Sequence, residues 1–221
     1  MPVGIRNLTP SAYYFGNSQA SRLYIGDVRV WPAFAPVSQT FATAGAWTFN
    51  IPTECLLIDV ILLGAGGGGS SGNGAIGTGE GGDAGEWLAV TLRRGVDIPW
   101  NVLQITGTVG NGGSGGPGGW LPLSGDPGQP TVATVAGVGS IQANGGTPGA
   151  FATGRSRPGK GPGPYTYNGI QYPGGANTAN SAANGNAPGG GGGGGNSGFF
   201  GLPAGAGGVG ARGQAWARAY V

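Results

Sequence analysis

The chain has 221 residues, with 54 Gly, 17 Pro, one Cys, no His and a formal net charge of +2. Gly and Pro cost about 1 and 3 kcal/mol in a helix interior, so neither a helix bundle nor a doubly wound α/β fold has material to build from. The missing His removes the commonest general base and metal ligand, and a lone Cys excludes an intrachain disulfide and a Cys-rich metal site.

Six Trp, seven Tyr and seven Phe at this low net charge argue against a solvated linker. No apolar run approaches the ~18 residues of a membrane span. The start, MPVGIRNLTP, lacks the apolar core of a signal peptide. Acids concentrate in residues 41–110 and bases in 111–221, without the dense basic stripe that nucleic-acid binding needs.

In chain order, RLYIGDVRVWP reads as a hairpin turning at Gly26-Asp27, followed by a linker punctuated by Pro32 and Pro36. This makes residues 1–36 an N-terminal β segment and linker, and residues 37–221 one glycine-rich β domain. Phe41, Trp47 and Phe49 flank Ala44-Gly45 as in a second hairpin. Leu56–Leu63 is the most hydrophobic segment and suits a buried strand, with Cys55 as a small apolar residue beside it. Further strands are expected at Trp87–Leu92, Trp100–Val109, Thr131–Val135, Gly139–Ala143 and Gln214–Val221. In YTYNGIQYP, Asn168-Gly169 is a type I′ hairpin signal.

The Gly tracts between these strands keep a three-residue phase. From Asn111 the chain reads NGG SGG PGG W. Gly112, Gly115 and Gly118 hold one phase, and Gly110, Gly113, Gly116 and Gly119 a second. Asn111, Ser114, Pro117 and Trp120 hold the third. Glu80, Asp83 and Glu86 share a phase before Trp87. Near the end, Gly207 and Gly210 lie on a bare phase beside Ala206, Val209 and Arg212. Three is the repeat of the extended left-handed polyproline-type helix, whose N–H and C=O groups point outward. Two bare phases let such threads approach backbone to backbone and pair those groups. The expected fold is all-β with polyglycine II helices: β-hairpins capping a bundle of glycine-rich left-handed extended threads, with almost no α-helix. A flexible Gly-rich linker is the alternative, but a linker needs no phase.

Chemical motifs fail on context. Gly64–Gly69 follows a strand and fits GxGxxG, but SSGNGAIGTGEGG after it cannot open the helix a dinucleotide site needs. Gly154–Lys160 resembles a P-loop, but Gly161 replaces the Ser or Thr, and Pro162 and Pro164 block a helix. Steps of about 9 Å along a thread set Glu80, Asp83 and Glu86 too far apart for one Ca²⁺. No catalytic residue, metal or cofactor is expected. Trp120, Tyr165, Tyr167, Tyr172, Phe199 and Phe200 sit beside Gly/Pro tracts, with Arg155, Arg157 and Lys160 in a basic loop. They are candidate ligand contacts on rigid loops, or else aromatic cover for the threads.

FATAGAWTFNIPTECLLIDVILLGAGGGG resembles the opening of the glycine-rich domain of bacteriophage tail proteins, and GEWLAVTLRRGVDIPW and GARGQAWARAYV resemble its later strands. The likeness, over roughly residues 22–110 and 205–221, is nearest to minor tail proteins of phages infecting mycobacteria and related actinobacteria. It implies a virion structural protein at the tail tip, made in the host cytoplasm and acting in host recognition by binding. Its implied partners are other tail proteins and a host cell-envelope glycan or lipid, in a homo-oligomer such as a trimer, with no nucleic acid and no membrane span. A purely structural tail subunit is the main alternative; an ice-binding polyglycine protein and a cell-wall hydrolase are remoter ones.

Overall fold

The computed structural model describes residues 14–19, 23–26, 28–31, 34–74, 77–150, 158–179, 181–199 and 202–221. Among them the chain forms β-strands and no helix. β1 (Tyr14–Phe15) pairs with β2 (Ser18–Gln19), and β3 (Leu23–Ile25) with β4 (Val28–Trp31). The second pair is the hairpin expected at Gly26, whose φ is +61°.

The later strands are β5 (Val37–Phe41), β6 (Gly45–Asn50), β7 (Leu57–Leu63), β8 (Trp87–Arg93), β9 (Gln104–Val109), β10 (Thr131–Val135), β11 (Gly139–Ala143), β12 (Tyr165–Tyr167), β13 (Ile170–Tyr172) and β14 (Gln214–Tyr220). Eight of them build two four-stranded sheets, ordered β5-β14-β7-β8 and β11-β10-β9-β6, and β12 pairs with β13. A shared core lies between the sheets. Ile58, Val60, Leu62, Ala215 and Ala217 meet Trp47, Phe49, Ile105, Val109 and Val135 there. β5 and β6 are not the hairpin their spacing suggests. β5 pairs with β14 and β6 with β9, so the chain crosses between sheets after Phe41. Phe41 and Trp47 still stack, with ring centroids 4.6 Å apart, as part of the same core.

β7 explains the continuous apolar run. Ile58, Val60 and Leu62 face the sandwich core, while Ile61 and Leu63 face a second core on the opposite side. A strand covered on both faces has no polar alternation to show. The cover is the β12–β13 hairpin, turning at Asn168 (φ 45°) and Gly169 (φ 74°). Its Tyr165 stacks on Trp87 at 5.3 Å, Trp87 on Trp216 at 5.4 Å, and Tyr172 meets Trp216 edge-on.

Under that hairpin lies Asp59, a fully buried acid in the middle of β7. Its Oδ1 accepts hydrogen bonds from Thr91 Oγ1 (2.7 Å), Asn168 Nδ2 (3.0 Å) and Tyr220 OH (3.1 Å). Its Oδ2 has no hydrogen-bond partner and sits 3.8 Å from Arg218. Burial, and then the Asp59 charge, push the Tyr172 and Tyr220 hydroxyls above the ordinary 10.0. An unfolded phenol therefore ionises before a folded one. The stabilisation is intact below about pH 10 and is lost as pH rises through the folded values. The melting temperature is expected to hold to about pH 9 and to fall above about pH 10, less steeply in Tyr172→Phe. Thermal scans against pH, with phenolate absorbance, measure it.

The Gly tracts emerge from one end of the sandwich. Leu63, Trp87 and Gln214 adjoin in one sheet; Val109, Thr131 and Ala143 adjoin in the other. From these six points the chain runs outside helix and strand, and its main-chain groups pair between segments every third residue. In segment 64–74, the N–H groups of Gly64, Gly67, Ser70 and Asn73 donate to the carbonyls of Glu86, Asp83, Glu80 and Gly77. Those of Ala65, Gly68, Ser71 and Gly74 donate to Gln129, Asp126, Leu123 and Trp120. Those of Gly66, Gly69 and Gly72 donate to Ala211, Gly208 and Gly205.

The same segment accepts from three further segments running parallel to it. Gly146 and Gly149 donate to Ala65 and Gly68, Gly113 and Gly116 to Gly66 and Gly69, and Gly192 and Gly195 to Gly67 and Ser70. Residues 64–72 are buried throughout, as are 189–195. Ser70 and Ser71 fit because their hydroxyls take main-chain roles: Ser70 Oγ donates to the Ala150 carbonyl and accepts the Glu80 N–H, and Ser71 Oγ accepts the Leu123 N–H. Buried backbone groups are thereby satisfied without a sheet.

Candidate functional site at the loop end of the glycine segments

Each glycine segment runs away from the sandwich and a partner returns, so the turns between them gather at the far end. Segment 64–74 returns as 77–86, 110–119 as 120–130, and 189–198 as 202–213. The turns are tied together by backbone. The Gly74 N–H donates to the Trp120 carbonyl (3.2 Å) and the Gly198 N–H to the Asn73 carbonyl (2.7 Å). Gly119 and Ala204 exchange a pair of bonds (3.1 and 2.9 Å), and the Leu202 N–H closes on Phe199 (3.0 Å). A Cβ at Gly74 would lie 2.7 Å from Trp120 Cε3, so the indole rests against bare backbone.

Large apolar side chains crown these turns. Trp120 is 59% exposed, Leu121 74%, Leu123 49%, Phe199 67% and Leu202 63%. No acid or base occurs in residues 60–79, 113–125 or 161–211. Val37, where β5 begins, lies at the other end of the sandwich, because it pairs with Ala219 near the far end of β14.

The candidate residues named from sequence are scattered by the fold. Trp120 and Phe199 come together at the loop end. Tyr165, Tyr167 and Tyr172 do not. They sit on the covering hairpin, and Tyr172 is buried against Trp216. Tyr167 OH is hydrogen-bonded with Thr91 Oγ1 at 3.0 Å. Lys160 is exposed but engaged, its Nζ 2.6 Å from Asp83 Oδ1. That hydrogen bond, and then one from Thr147, hold the Asp83 carboxyl below the usual carboxylate range. Arg155, Arg157 and Phe200 lie outside the described residues.

Most of the named glycines meet neighbouring backbone. A Cβ would collide with the carbonyl of Gln129 at Gly110, Gly210 at Gly112, Asp126 at Gly113, Gly207 at Gly115, Leu123 at Gly116 and Ala204 at Gly118. At Gly207 and Gly210 it would strike the Gly69 and Gly66 carbonyls. Gly119 differs, with nothing within 4 Å. The third phase of that tract, Asn111, Ser114, Pro117 and Trp120, is exposed.

Leu121, Leu123 and Leu202 were not among the candidates. Their signal was an apolar residue beside Gly-Pro punctuation, in a stretch too short for a strand. No group of three or more His, Cys, Asp or Glu able to hold a metal occurs among the described residues. Among them, too, no helix is long and apolar enough to cross a membrane. Cys55 is buried beside Arg94, and burial raises its thiol above the ordinary range.

Among the described residues, the turns at the far end thus form a small apolar surface without charged side chains, held by main-chain bonds. Comparison with known proteins agrees with the sequence likeness at the family level. Residues 41–220 match the glycine-rich domain family. The chain is 46% identical over 220 residues to the "Gene 32 protein" of Mycobacterium phage L5, covering 99% of this chain and 98% of that protein. It is 46% identical over 209 residues to the "Gene 32 protein" of Mycobacterium phage D29, covering 90% of each. The chain belongs to the glycine-rich domain family, among relatives encoded by phages.

Proposed function

We propose that this protein is a minor tail protein at the phage tail tip that takes part in host-surface recognition, by binding and without catalysis. The observation that carries the reading is polarity. The sheets receive the chain at Val37 on one side, and uncharged aromatic turns stand at the opposite end of the glycine segments. Residues 1–36 would attach to other tail proteins, and residues 37–221 would hold the turns outward. The glycine segments are read as polyglycine II helices in a bundle. The three-residue alternation of partners, in parallel and antiparallel neighbours, supports this reading, because a helix of three residues per turn aims successive N–H groups at three directions.

Purified full-length protein in excess should reduce adsorption of the phage that carries it. Unchanged adsorption would instead favour a subunit that only builds the tail. A homo-oligomer such as a trimer suits a tail-tip position.

A further inference from the structure

We infer that the ligand of the loop end is a lipid surface, into which Trp120, Leu121, Phe199 and Leu202 insert. This rests on the loop end being the outward-facing site and specifies what it meets. Four observations converge. First, the clefts lined by Tyr172, Trp216 and Arg218 and by Val90, Val96 and Val138 lie away from the turns. Second, the stretches bearing the turns have no charge to complement an ionic partner. Trp120-Leu121-Pro122-Leu123 also lacks the polar side chains that usually accompany an aromatic ring in sugar recognition.

Third, the exposed apolar area is on the order of 500 Å². That is enough to mark an interaction site on a monomer. Fourth, backbone donors of the described turn residues are already paired. The N–H groups of Gly74, Gly119, Gly198, Leu202 and Ala204 all reach carbonyls. A loop entering the edge of a bilayer must bring its polar backbone satisfied, and these five donors meet that demand. Trp120 supplies the amphipathic ring that prefers the headgroup level.

The test is flotation of the full chain with phosphatidylcholine vesicles, with and without phosphatidylglycerol, at low and high salt. Binding is expected with both vesicles and to be nearly independent of salt, because the four inserting side chains carry no charge. The Trp emission should shift to shorter wavelength, and Trp120→Phe should remove most of that shift. The double variant Trp120→Ser/Phe199→Ser is expected to bind at least about tenfold more weakly, through lost apolar insertion. Leu103→Ser, exposed at the other end of the sandwich, should bind as the parent does.

Far-ultraviolet dichroism checks that each variant folds. Absence of vesicle binding by the folded parent overturns the inference. So does self-association in sedimentation that Trp120→Ser abolishes, since the turns would then meet a second copy. If vesicles fail but excess protein still blocks adsorption, host recognition stands and lipid is wrong. If vesicles bind but adsorption is unaffected, the lipid contact stands and the recognition role falls.

Discussion

Gly69→Ala is expected to destabilise the protein by at least about 3 kcal/mol, a methyl group doing what overpacking in a core seldom exceeds. Gly69 lies in the middle of the buried central segment. Its N–H reaches the Gly208 carbonyl at 2.9 Å, and its own carbonyl takes the Gly116 N–H at 2.8 Å. A Cβ there would overlap the Gly193 carbonyl and come within 3.0 Å of the Gly192 oxygen. A side chain can rotate away from an intruder; a main-chain carbonyl bonded into its own neighbours cannot. Relief requires segments to separate, with further hydrogen bonds lost at about 1 kcal/mol each. Against a total of roughly 5–15 kcal/mol, the loss is large.

Gly119→Ala is the matched control. Nothing lies within 4 Å of its Cβ position and its φ is outside the left-handed region. That change should be neutral or gain about 0.4–1 kcal/mol through the unfolded chain. Urea unfolding of both variants decides the matter, and equal midpoints would mean that the segments are not in backbone contact.

The second large effect is expected at Asp59. Asp59→Ala leaves Thr91, Asn168 and Tyr220 without their shared acceptor, and Arg218 beside an emptied site. Breaking a buried pair by removing one partner costs about 3–5 kcal/mol. Arg218 is 23% exposed and can recover some hydration, which places the expected loss near the lower figure, about 3 kcal/mol. Asp59→Asn keeps an acceptor oxygen and should lose about 1–2 kcal/mol. Because Asn168 and Tyr167 tie the β12–β13 hairpin to this cluster, hydrogen exchange at Ile170 and Tyr172 should accelerate before global unfolding. Unchanged exchange there in Asp59→Ala would show that aromatic stacking alone holds the hairpin.

Local chemistry made part of this fold readable. Asn168-Gly169 marks a turn because both residues must take positive φ, and both do. The Leu56–Leu63 run marks a buried strand, and its lack of alternation reports cover on both faces. Asp59, the single acid inside that run, proves to be the polar anchor of the covering hairpin.

What could not be read is non-local. β5 and β6 lie three residues apart, yet join different sheets, and β5 pairs with β14 from the other end of the sequence. Nothing near Phe41 encodes that partner. The same holds for the tyrosines of β12 and β13, whose surroundings depend on Trp87 and Trp216. At the loop end, Trp120 stood out by type, while Leu121 and Leu202 became candidates only when the turns were brought together. Segment 64–72 is central because it carries no bulky residue on any of its three phases, a compositional trait visible beforehand but meaningless without its neighbours.

Pairing at every third residue also sets how these segments can change length. Inserting a single residue into 110–119 would turn Gly113 and Gly116 away from Gly66 and Gly69, and every later donor would face the wrong neighbour. Inserting a triplet restores each donor to its acceptor row. Growth or shortening of the projecting end is thus quantised in triplets, matched between an outgoing segment and its return. Since main-chain atoms, helped by a few buried hydroxyls such as those of Ser70 and Ser71, keep this count, whatever caps the turns can be exchanged without rewriting the rows beneath.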